Sequence, residues 1–429
     1  MDVKNKNRIG YKKTKVGWIP KEWDCIELSN LDVTIEDGDR GKSYPKQHDF
    51  TDSGYCLFLN AGNVTSKGFS FENTQFVSQE RDELLRKGKL KRGDIIITTR
   101  GTIGNFAHYD DKVNFEHVRI NSGMAIIRNQ DDGVSTYFLM NFLISQSFKK
   151  VIHRLTFGSA VPQLTIQLIN FFPIVKPESL PEQEAIAEVL ECWDKAIRNY
   201  EKKIEKKRTI KKGLMQRLLS GKQRLPGFLG KWQEVRLGDV CEIIMGQSPA
   251  SLFYNKSKEG LPLLQGNNDI KKGFSCPHYW TSQITRLCLP GDILMTVRAP
   301  VGEIALSIHK ACIGRGICAI RGKTASQRFV FHLLDNSVNA WKAFGQGSTF
   351  TAVNSKDIRG FQIAVPSEVK EQEIIADLLS KANDEIESLE RKLAILKDQK
   401  KFLLNNLVTG TIRLPRFRGS TTSNRTDGD

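Results

Sequence analysis

The sequence lacks the features of a membrane-spanning, secreted or metal-binding protein. Its 429 residues contain no run of about 18 apolar residues, so no transmembrane helix is predicted. The opening stretch MDVKNKNRIGYKKTKVGWIPKEW has no apolar core of the kind that a signal peptide needs. The eight cysteines are scattered without a CxxC pair, which argues against a zinc site and a disulfide framework. We therefore predict a cytoplasmic protein with reduced cysteines.

Signatures of catalysis are also missing. The sequence has no GxxxxGK[ST] loop for ATP and no Asn/Asp-Pro-Pro-aromatic element, with which adenine methyltransferases hold a flipped base. None of the seven histidines forms a metal-ligand pair with Asp, Glu or Cys at helical spacing. We interpret the glycine-rich pieces RGTIGNF and GRGIC as turns, since neither follows the dinucleotide-binding pattern. The chain is thus predicted to be no enzyme by itself and to bind no cofactor or metal.

Positive charge is in excess. The chain has 64 Lys and Arg against 48 Asp and Glu, a formal net charge of +16. Such a balance favours a polyanionic partner, most often nucleic acid, although a protein can be basic without binding one. The length also exceeds what one ordinary core supports, so two or more domains are expected.

An internal repeat organises the sequence. Residues 158–226 align with 347–415 without a gap, with 23 identities in 69 pairs. Weaker matches pair KEWDCIELSNL with GKWQEVRLGDV and RGDIIITTRGTIG with PGDILMTVRAPVG, at spacings that differ between the halves. Each half therefore combines a variable region with a segment of fixed length, and the variable regions are where the halves differ in function.

The fixed segment is predicted to be a long helix of about 40 residues, roughly 60 Å at 1.5 Å per residue. Apolar residues recur at alternating steps of four and three, as in the seam of a coiled coil. Gly221 and Gly410 follow the last apolar residue of each copy, as helix C-caps do. The predicted seam consists of Ile186, Leu190, Trp193, Ile197, Ile204, Leu214 and Leu218 in the first copy and Ile375, Leu379, Ile386, Leu389, Leu393, Leu403 and Leu407 in the second.

Chain order then predicts the architecture. If the two stripes pair, the helices lie antiparallel and carry a mixed α/β domain at each end of a rod, with a pseudo-two-fold axis. Short β-rich runs such as GDIIITTR, and amphipathic helices over 135–155 and 326–344, belong to the domains. Two different basic domains at a fixed separation suit two different DNA half-sites, about one helical turn apart. The alternative is a coiled-coil dimeriser with two protein-binding domains.

The segments GWIPKEW, DGDRGKSYP, GDIIITTRGTIG, VPQLT and PEQEAIAEVLECWD resemble the specificity subunit of Type I restriction–modification systems. The resemblance implies an α+β fold with target-recognition domains at 1–179 and 222–368. It also implies conserved antiparallel helices at 180–221 and 369–411, and we predict a disordered tail at 412–429. Implied partners are double-stranded DNA, two modification subunits that methylate adenine with S-adenosylmethionine, and two restriction subunits that use ATP and Mg²⁺. The alternative is a stand-alone DNA-binding or coiled-coil interaction protein.

Candidate DNA contacts are chosen for their chemistry, since Arg and Lys suit guanine edges or phosphates and Asn and Gln suit adenine. Exposed turns and internal ion pairs are the competing interpretation of the same residues. The lysine-rich stretch KKIEKKRTIKKGLMQR can likewise either face DNA or solvate the helix. The candidates are Arg40, Lys42, Ser43, Tyr44, Arg86, Lys89, Lys91, Arg92 and Arg100 in the first half and Gln265, Asn267, Asn268, Lys271 and Arg298 in the second.

Overall fold

A computed structural model describes residues 9–156, 163–338, 340–341 and 352–417. The chain divides into two compact units: unit 1 comprises Met1–Asn199 with Leu393–Asp429, and unit 2 comprises Tyr200–Lys392. The first pairs of the repeat, the start of VPQLT and the predicted tail from residue 418 lie outside the described residues.

Unit 1 is built from short strands and helices before the first long helix. Its strands are β1 (Tyr11–Lys13), β2 (Trp18–Pro20), β3 (Trp23–Glu27), β4 (Val33–Asp37), β5 (Cys56–Leu59), β6 (Val64–Thr65), β7 (Gly68–Phe69), β8 (Phe76–Val77), β9 (Ile95–Thr98), β10 (Phe106–His108), β11 (Val118–Ile120), β12 (Met124–Asn129) and β13 (Pro173–Pro177). Its helices are α1 (Gln79–Leu84), α2 (Thr136–Leu143), α3 (Gln146–Thr156) and α4 (Ile166–Asn170), and α5 (Leu180–Leu218) follows.

Two sheets form the centre of unit 1. One has the order β10–β9–β12–β4 and the other the order β11–β5–β8. The strand Ile95–Thr98 is buried throughout, as expected of three consecutive isoleucines without an alternating polar face. Its residues pair antiparallel with β12, and β12 pairs antiparallel with β4. Side chains from one face of this sheet, from α2 and α3 and from the long helices share one core.

Unit 2 repeats this plan with equivalent strands of the same length but with more strands in each of its two main sheets. Its strands are β14 (Trp232–Arg236), β15 (Cys241–Met245), β16 (Tyr254–Asn255), β17 (Leu261–Leu264), β18 (Ile270–Lys271), β19 (Phe274–Ser275), β20 (Tyr279–Thr281), β21 (Leu287–Cys288), β22 (Ile293–Thr296), β23 (Ile304–Leu306), β24 (Ala311–Ile313), β25 (Ile317–Gly322) and β26 (Gln362–Pro366). Its helices are α6 (Leu237–Val240), α7 (Gln327–Asn336), α8 (Ser355–Gly360) and the second long helix, α9 (Val369–Leu407).

The sheets of unit 2 have the orders β15–β25–β22–β23–β19–β18 and β16–β20–β17–β24–β21. In each unit a further strand pair leads into a long helix, with Trp23 opposite Pro177 in unit 1 and Trp232 opposite Pro366 in unit 2. The weak match between the starts of the two halves therefore reflects a shared position beside the strand that precedes the helix.

Opposite charges favour the antiparallel pairing of α5 and α9. Each helix is acidic in its first half and basic in its second half, so antiparallel packing places unlike charges side by side. In unit 1, Lys400 Nζ lies 2.6 Å from the Asp194 carboxylate. In unit 2, Lys207 Nζ lies 2.7 Å from Glu385, and Arg208 lies 2.6 Å from a neighbouring glutamate, Glu390.

The apolar stripe lies between these charged positions. Of the residues predicted for the seam, Ile186, Leu190, Ile204, Leu218, Ile375, Leu379, Ile386, Leu389 and Leu407 are buried. Trp193, Ile197, Leu214, Leu393 and Leu403 are half-buried. The α+β fold with long antiparallel helices thus agrees with the sequence analysis.

The duplicated glutamine of the helix start has a defined structural role. The Gln183 side chain donates to the carbonyl of Pro177 at 3.0 Å and accepts from the amide of Ser135, the N-cap of α2, at 3.0 Å. In unit 2, Gln372 makes the same two bonds, to Pro366 and Ser326, at 2.9 and 2.8 Å. One buried side-chain amide therefore joins the strand before the long helix to the start of α2 in unit 1 and to the start of α7 in unit 2.

Two predictions need correction. The tail is ordered over its first residues, because Ile412 and Leu414 pack against the core of unit 1 and Pro415–Phe417 form a 3₁₀ helix. The single helix predicted over 135–155 is two helices, α2 and α3, since Ser145 interrupts the pattern and its hydroxyl accepts from the amide of Phe148.

Candidate nucleic-acid interface

In unit 1, loops at one edge of the sheets converge. They follow the carboxyl ends of β4, β5, β9 and β11 and comprise residues 38–41, 60–63, 99–101 and 121–123; we call them the edge loops of unit 1. The amides of Thr99 and Arg100 donate to the carbonyl of Gly123 at 2.8 and 3.2 Å. A Cβ on Gly38 would overlap the carbonyl oxygen of Asn121, so glycine is required for this close approach.

Two arginines lie on this edge. The Arg40 side chain is 47% exposed, and its Nη2 lies 3.5 Å from Asp37 and donates to the carbonyl of Ser122 at 3.3 Å. Arg100 is exposed, and its guanidinium donates to the side-chain oxygen of Gln163 at 3.1 and 3.3 Å when that amide faces it. Both side chains thus remain exposed while contacts within the edge hold them at the surface.

Unit 2 has the same edge. Its edge loops, residues 246–250, 265–269, 297–302 and 314–316, follow β15, β17, β22 and β24. The amide of Gln247 donates to Ile313 at 2.8 Å, and that of Val297 donates to Gly316 at 2.9 Å. A Cβ on Gly246 would overlap backbone atoms of the neighbouring edge loop. In both units, therefore, backbone hydrogen bonds between the loops and a glycine at the point of closest approach bring the edge loops together.

The edge of unit 2 carries Arg298 and Arg315, which are both exposed. Within the described part of the chain, neither guanidinium has a hydrogen bond or an ion pair, and Arg298 and Arg315 make their contacts through the backbone. Ser248 Oγ accepts from the amide of Arg315 at 3.1 Å. Gln265 is half-buried here, and Asn267 and Asn268 are exposed in the same loop.

Two other candidates from the sequence, Lys89 and Arg92, are exposed but already bonded to groups of unit 1. Lys89 lies against the buried Asp82 carboxylate, whose hydrogen bond raises the pKa of the lysine. The Arg92 guanidinium donates to three backbone carbonyls, including that of Asp110 at 2.6 Å, and lies 4.2 Å from the centre of the Tyr109 ring. The bonds of these two side chains connect the loop that follows α1 to other parts of unit 1 and stabilise it there. Their contact with DNA stays a prediction.

The remaining candidates are exposed or half-buried, and all but Lys271 belong to unit 1. The exposed Arg86 lies 3.8 Å from Asp39. Burial opposes ionisation of Asp39, but amide bonds from Gly41 and Arg86 and the charge of Arg86 outweigh it and lower the pKa of this carboxyl. The ring of Tyr44 packs edge-on against Phe58. Lys42, Lys91 and Lys271 are exposed and Ser43 is half-buried.

Sequence reasoning missed Ser122, Gln163, Ser248 and Arg315. Gln163 stands in VPQLT and Arg315 in GRGIC, but neither segment is predicted to contact DNA, and only the folded structure brings the four residues to the edges. Among the described residues, no helix is long and apolar enough to cross a membrane. Nor does that part of the chain contain a group of three or more His, Cys, Asp or Glu that could hold a metal ion.

Comparison with known proteins identifies the family. The family model for the Type I restriction modification DNA specificity domain matches residues 20–207 and again 230–397. The chain belongs to this family. A Methanocaldococcus jannaschii protein assigned as the type I restriction enzyme MjaX specificity subunit is 30% identical over 421 residues, covering 94% of this chain and 97% of that protein. The MjaVIII specificity subunit of the same organism is 28% identical over 220 residues, half of this chain and 49% of its own length.

Solved structures of specificity subunits share the fold. A chain from a study of complex assembly in a type I restriction–modification system is 24% identical, with a TM-score of 0.61 over 92% of this chain and 99% of that one. The S subunit from M. genitalium is 15% identical, with a TM-score of 0.59 over 90% of this chain and 96% of that one. The two matches of the family model fall one in each half of the chain, and each covers the variable region and most of the long helix of that half.

Proposed function

We propose that this specificity subunit recognises a bipartite, asymmetric DNA sequence in the cytoplasm and reads one half-site with each unit. The observation that carries the proposal is the repeated edge. The same loops converge in both units, yet their exposed side chains differ, as expected of one scaffold that recognises two sequences. Exposed arginines at both edges supply donors for phosphates and guanine bases.

We further propose that the chain is a scaffold and not a catalyst. It would position two adenine methyltransferase subunits, and two restriction subunits where these are present. S-adenosylmethionine, ATP and Mg²⁺ would then be bound by those partners. The absence of nucleotide and methyltransferase motifs from the sequence supports this division of labour.

Two assays test the proposal. Co-expression with the products of neighbouring genes, followed by affinity purification of this chain, should recover a complex that methylates adenine in a specific sequence. The purified chain alone, incubated with DNA, S-adenosylmethionine and ATP, should neither methylate nor cut. Specific methylation or cleavage by the chain alone would contradict the scaffold role. A chain that binds DNA but recovers no methyltransferase would favour the alternative of a stand-alone DNA-binding protein.

A further inference from the structure

The strand register makes positions on the two edges equivalent. The last residues of β4 and β15 pair with the second residues of β12 and β25, respectively. Arg40 and Ser248 each lie three residues beyond the end of that first strand. Ser122 and Arg315 each lie two residues before the start of the second. Arg40 is therefore equivalent to Ser248, and Ser122 is equivalent to Arg315.

An arginine and a serine have exchanged places between the units. In unit 1 the arginine is in the first edge loop and the serine in the last, and Arg40 Nη2 donates to the carbonyl of Ser122 at 3.3 Å. In unit 2 the serine is in the first loop and the arginine in the last, and the two are joined by the bond from the Arg315 amide to Ser248 Oγ at 3.1 Å. Each edge thus presents one arginine at this contact, but from a different loop.

A second pair of arginines does not change place. Arg100 and Arg298 each lie two residues beyond the end of equivalent strands, β9 and β22. A side chain that is the same in both units cannot distinguish two different half-sites, whereas phosphates occur at every position of DNA. An arginine that moves from one loop to another approaches a different part of the duplex.

We infer that Arg40 in unit 1 and Arg315 in unit 2 each read a guanine, and that Arg100 and Arg298 contact backbone phosphates. The inference rests on the proposed recognition of DNA and assigns base reading to particular residues. An arginine fork matches the O6 and N7 acceptors of guanine, which lysine cannot contact in the same bidentate way. Because the two arginines come from different loops, the guanine occupies a different position in each half-site.

Selection of binding sequences from a random duplex library, with the purified full-length chain, tests this assignment. Arg315→Lys and Arg315→Ala should each reduce the preference for one G·C pair in one half-site by about 10- to 100-fold, the usual worth of a bidentate contact. The other half-site should be unchanged. The equivalent variant of unit 1, Arg40→Lys, should reduce the preference for a G·C pair only in the half-site that unit 1 reads.

Two further variants separate base reading from general affinity. Arg298→Ala should weaken binding to all sequences alike and reduce the slope of log affinity against log salt by about one. Lys323→Ala provides the matched control: Lys323 is exposed just beyond the opposite end of β25, so its loss should leave the selected sequence unchanged.

The outcomes are distinguishable. A wild-type chain that selects no sequence would contradict the proposed function itself, and with it the inference. If the wild-type chain selects a bipartite sequence and Arg315→Lys selects the same one with equal preference, recognition of DNA stands but the assignment of Arg315 is wrong. The double variant Arg40→Ser with Ser122→Arg should move or abolish the guanine preference of the half-site that unit 1 reads. If this variant still selects the wild-type sequence, the position of the arginine does not set the position of the guanine, and the inference is wrong.

Discussion

Arg413 and Glu182 form a bidentate ion pair across 231 residues of chain, with Nε and Nη2 donating to the carboxylate at 2.8 and 2.7 Å. In unit 2, Arg224 and Glu371 form the same pair at 2.9 and 2.8 Å. Each arginine lies six residues after the end of a long helix, and each glutamate is the third residue of one. The end of each helix copy is therefore fixed to the start of the other copy, and the C-terminal segment completes unit 1.

Arg413→Ala should destabilise unit 1. The Glu182 carboxylate is only 3% exposed, so it would be left buried without its cationic partner. The free energy of unfolding should fall by roughly 3 kcal/mol, the usual cost of breaking a buried pair from one side. Urea denaturation of the full chain measures this loss.

Two variants serve as controls for that measurement. Arg391→Ala removes an exposed helical pair with Glu387 and should cost less than about 1 kcal/mol. Combining Arg413→Ala with Glu182→Gln should recover part of the loss, because no unpaired charge remains. Equal stability of Arg413→Ala and the wild type would show that the ion pair does not hold the C-terminal segment.

Charge reversal should weaken the pairing of the long helices in unit 2. Replacing Lys207 and Arg208 by Glu places like charges against Glu385 and Glu390 and should lower the free energy of unfolding by about 1–2 kcal/mol. The reciprocal change of both glutamates to Lys should restore it in the fourfold variant. At about 1 M salt, the difference in the free energy of unfolding between the charge-reversed variant and the wild type should shrink, because the screening length falls to about 3 Å. A loss that is unaffected by salt and by the reciprocal change would point to packing instead of charge.

The helices and the repeat could be predicted because their information is local. A gap-free alignment, a heptad stripe and a C-terminal glycine each depend on neighbouring residues, and the helices begin and end within a few residues of the expected positions. The strand GDIIITTR was predictable for the same reason, since its apolar run is buried on both faces.

The edge could be predicted only in part, because it depends on register between distant strands. The halves differ in spacing, so no alignment by length places Ser122 opposite Arg315. The basic strip around Lys89 and Arg92 looked like a phosphate-binding surface, yet their partners are a buried carboxylate and backbone carbonyls. A pattern of charges does not indicate whether each charge already has an internal partner.

Acid should destabilise unit 2 through His332. This side chain is 2% exposed, and its Nε2 lies 3.0 Å from Ser380 Oγ. Burial, followed by the charges of Lys211 and Arg328, lowers the pKa of the imidazole to about 4. Since the folded pKa lies below the unfolded one, its contribution is complete above about pH 6.5 and is lost as the pH falls towards 4. The total loss should be roughly 3 kcal/mol, measured as the free energy of unfolding against pH.

His332→Asn isolates this contribution, because asparagine does not titrate. Asp335 on the same helix acts in the opposite sense, since burial raises the pKa of its carboxyl. The comparison is therefore between the pH dependence of wild type and variant, not between their absolute stabilities. If the free energies of unfolding of the wild type and His332→Asn change in parallel from pH 7 to 4.5, His332 is not a buried neutral imidazole in the folded protein.

Sequence specificity should be exchangeable by domain. Replacing residues 227–368 with the corresponding segment of the Methanocaldococcus jannaschii relative removes the edge loops of unit 2 but keeps both long helices. The grafted core must still pack against Leu218, Ile375 and Leu379, which belong to the core of unit 2.

Only one half of the recognised sequence should change in this hybrid, because each edge is assembled entirely from loops of its own unit. Selection from a random duplex library, or sequencing of methylated adenines produced with the partner subunits, gives the new sequence. Unfolding measurements on the hybrid confirm that it is folded before its specificity is interpreted. A change in both halves would mean that the two edges do not read independently, and that specificity arises from the assembled protein instead of from each set of loops.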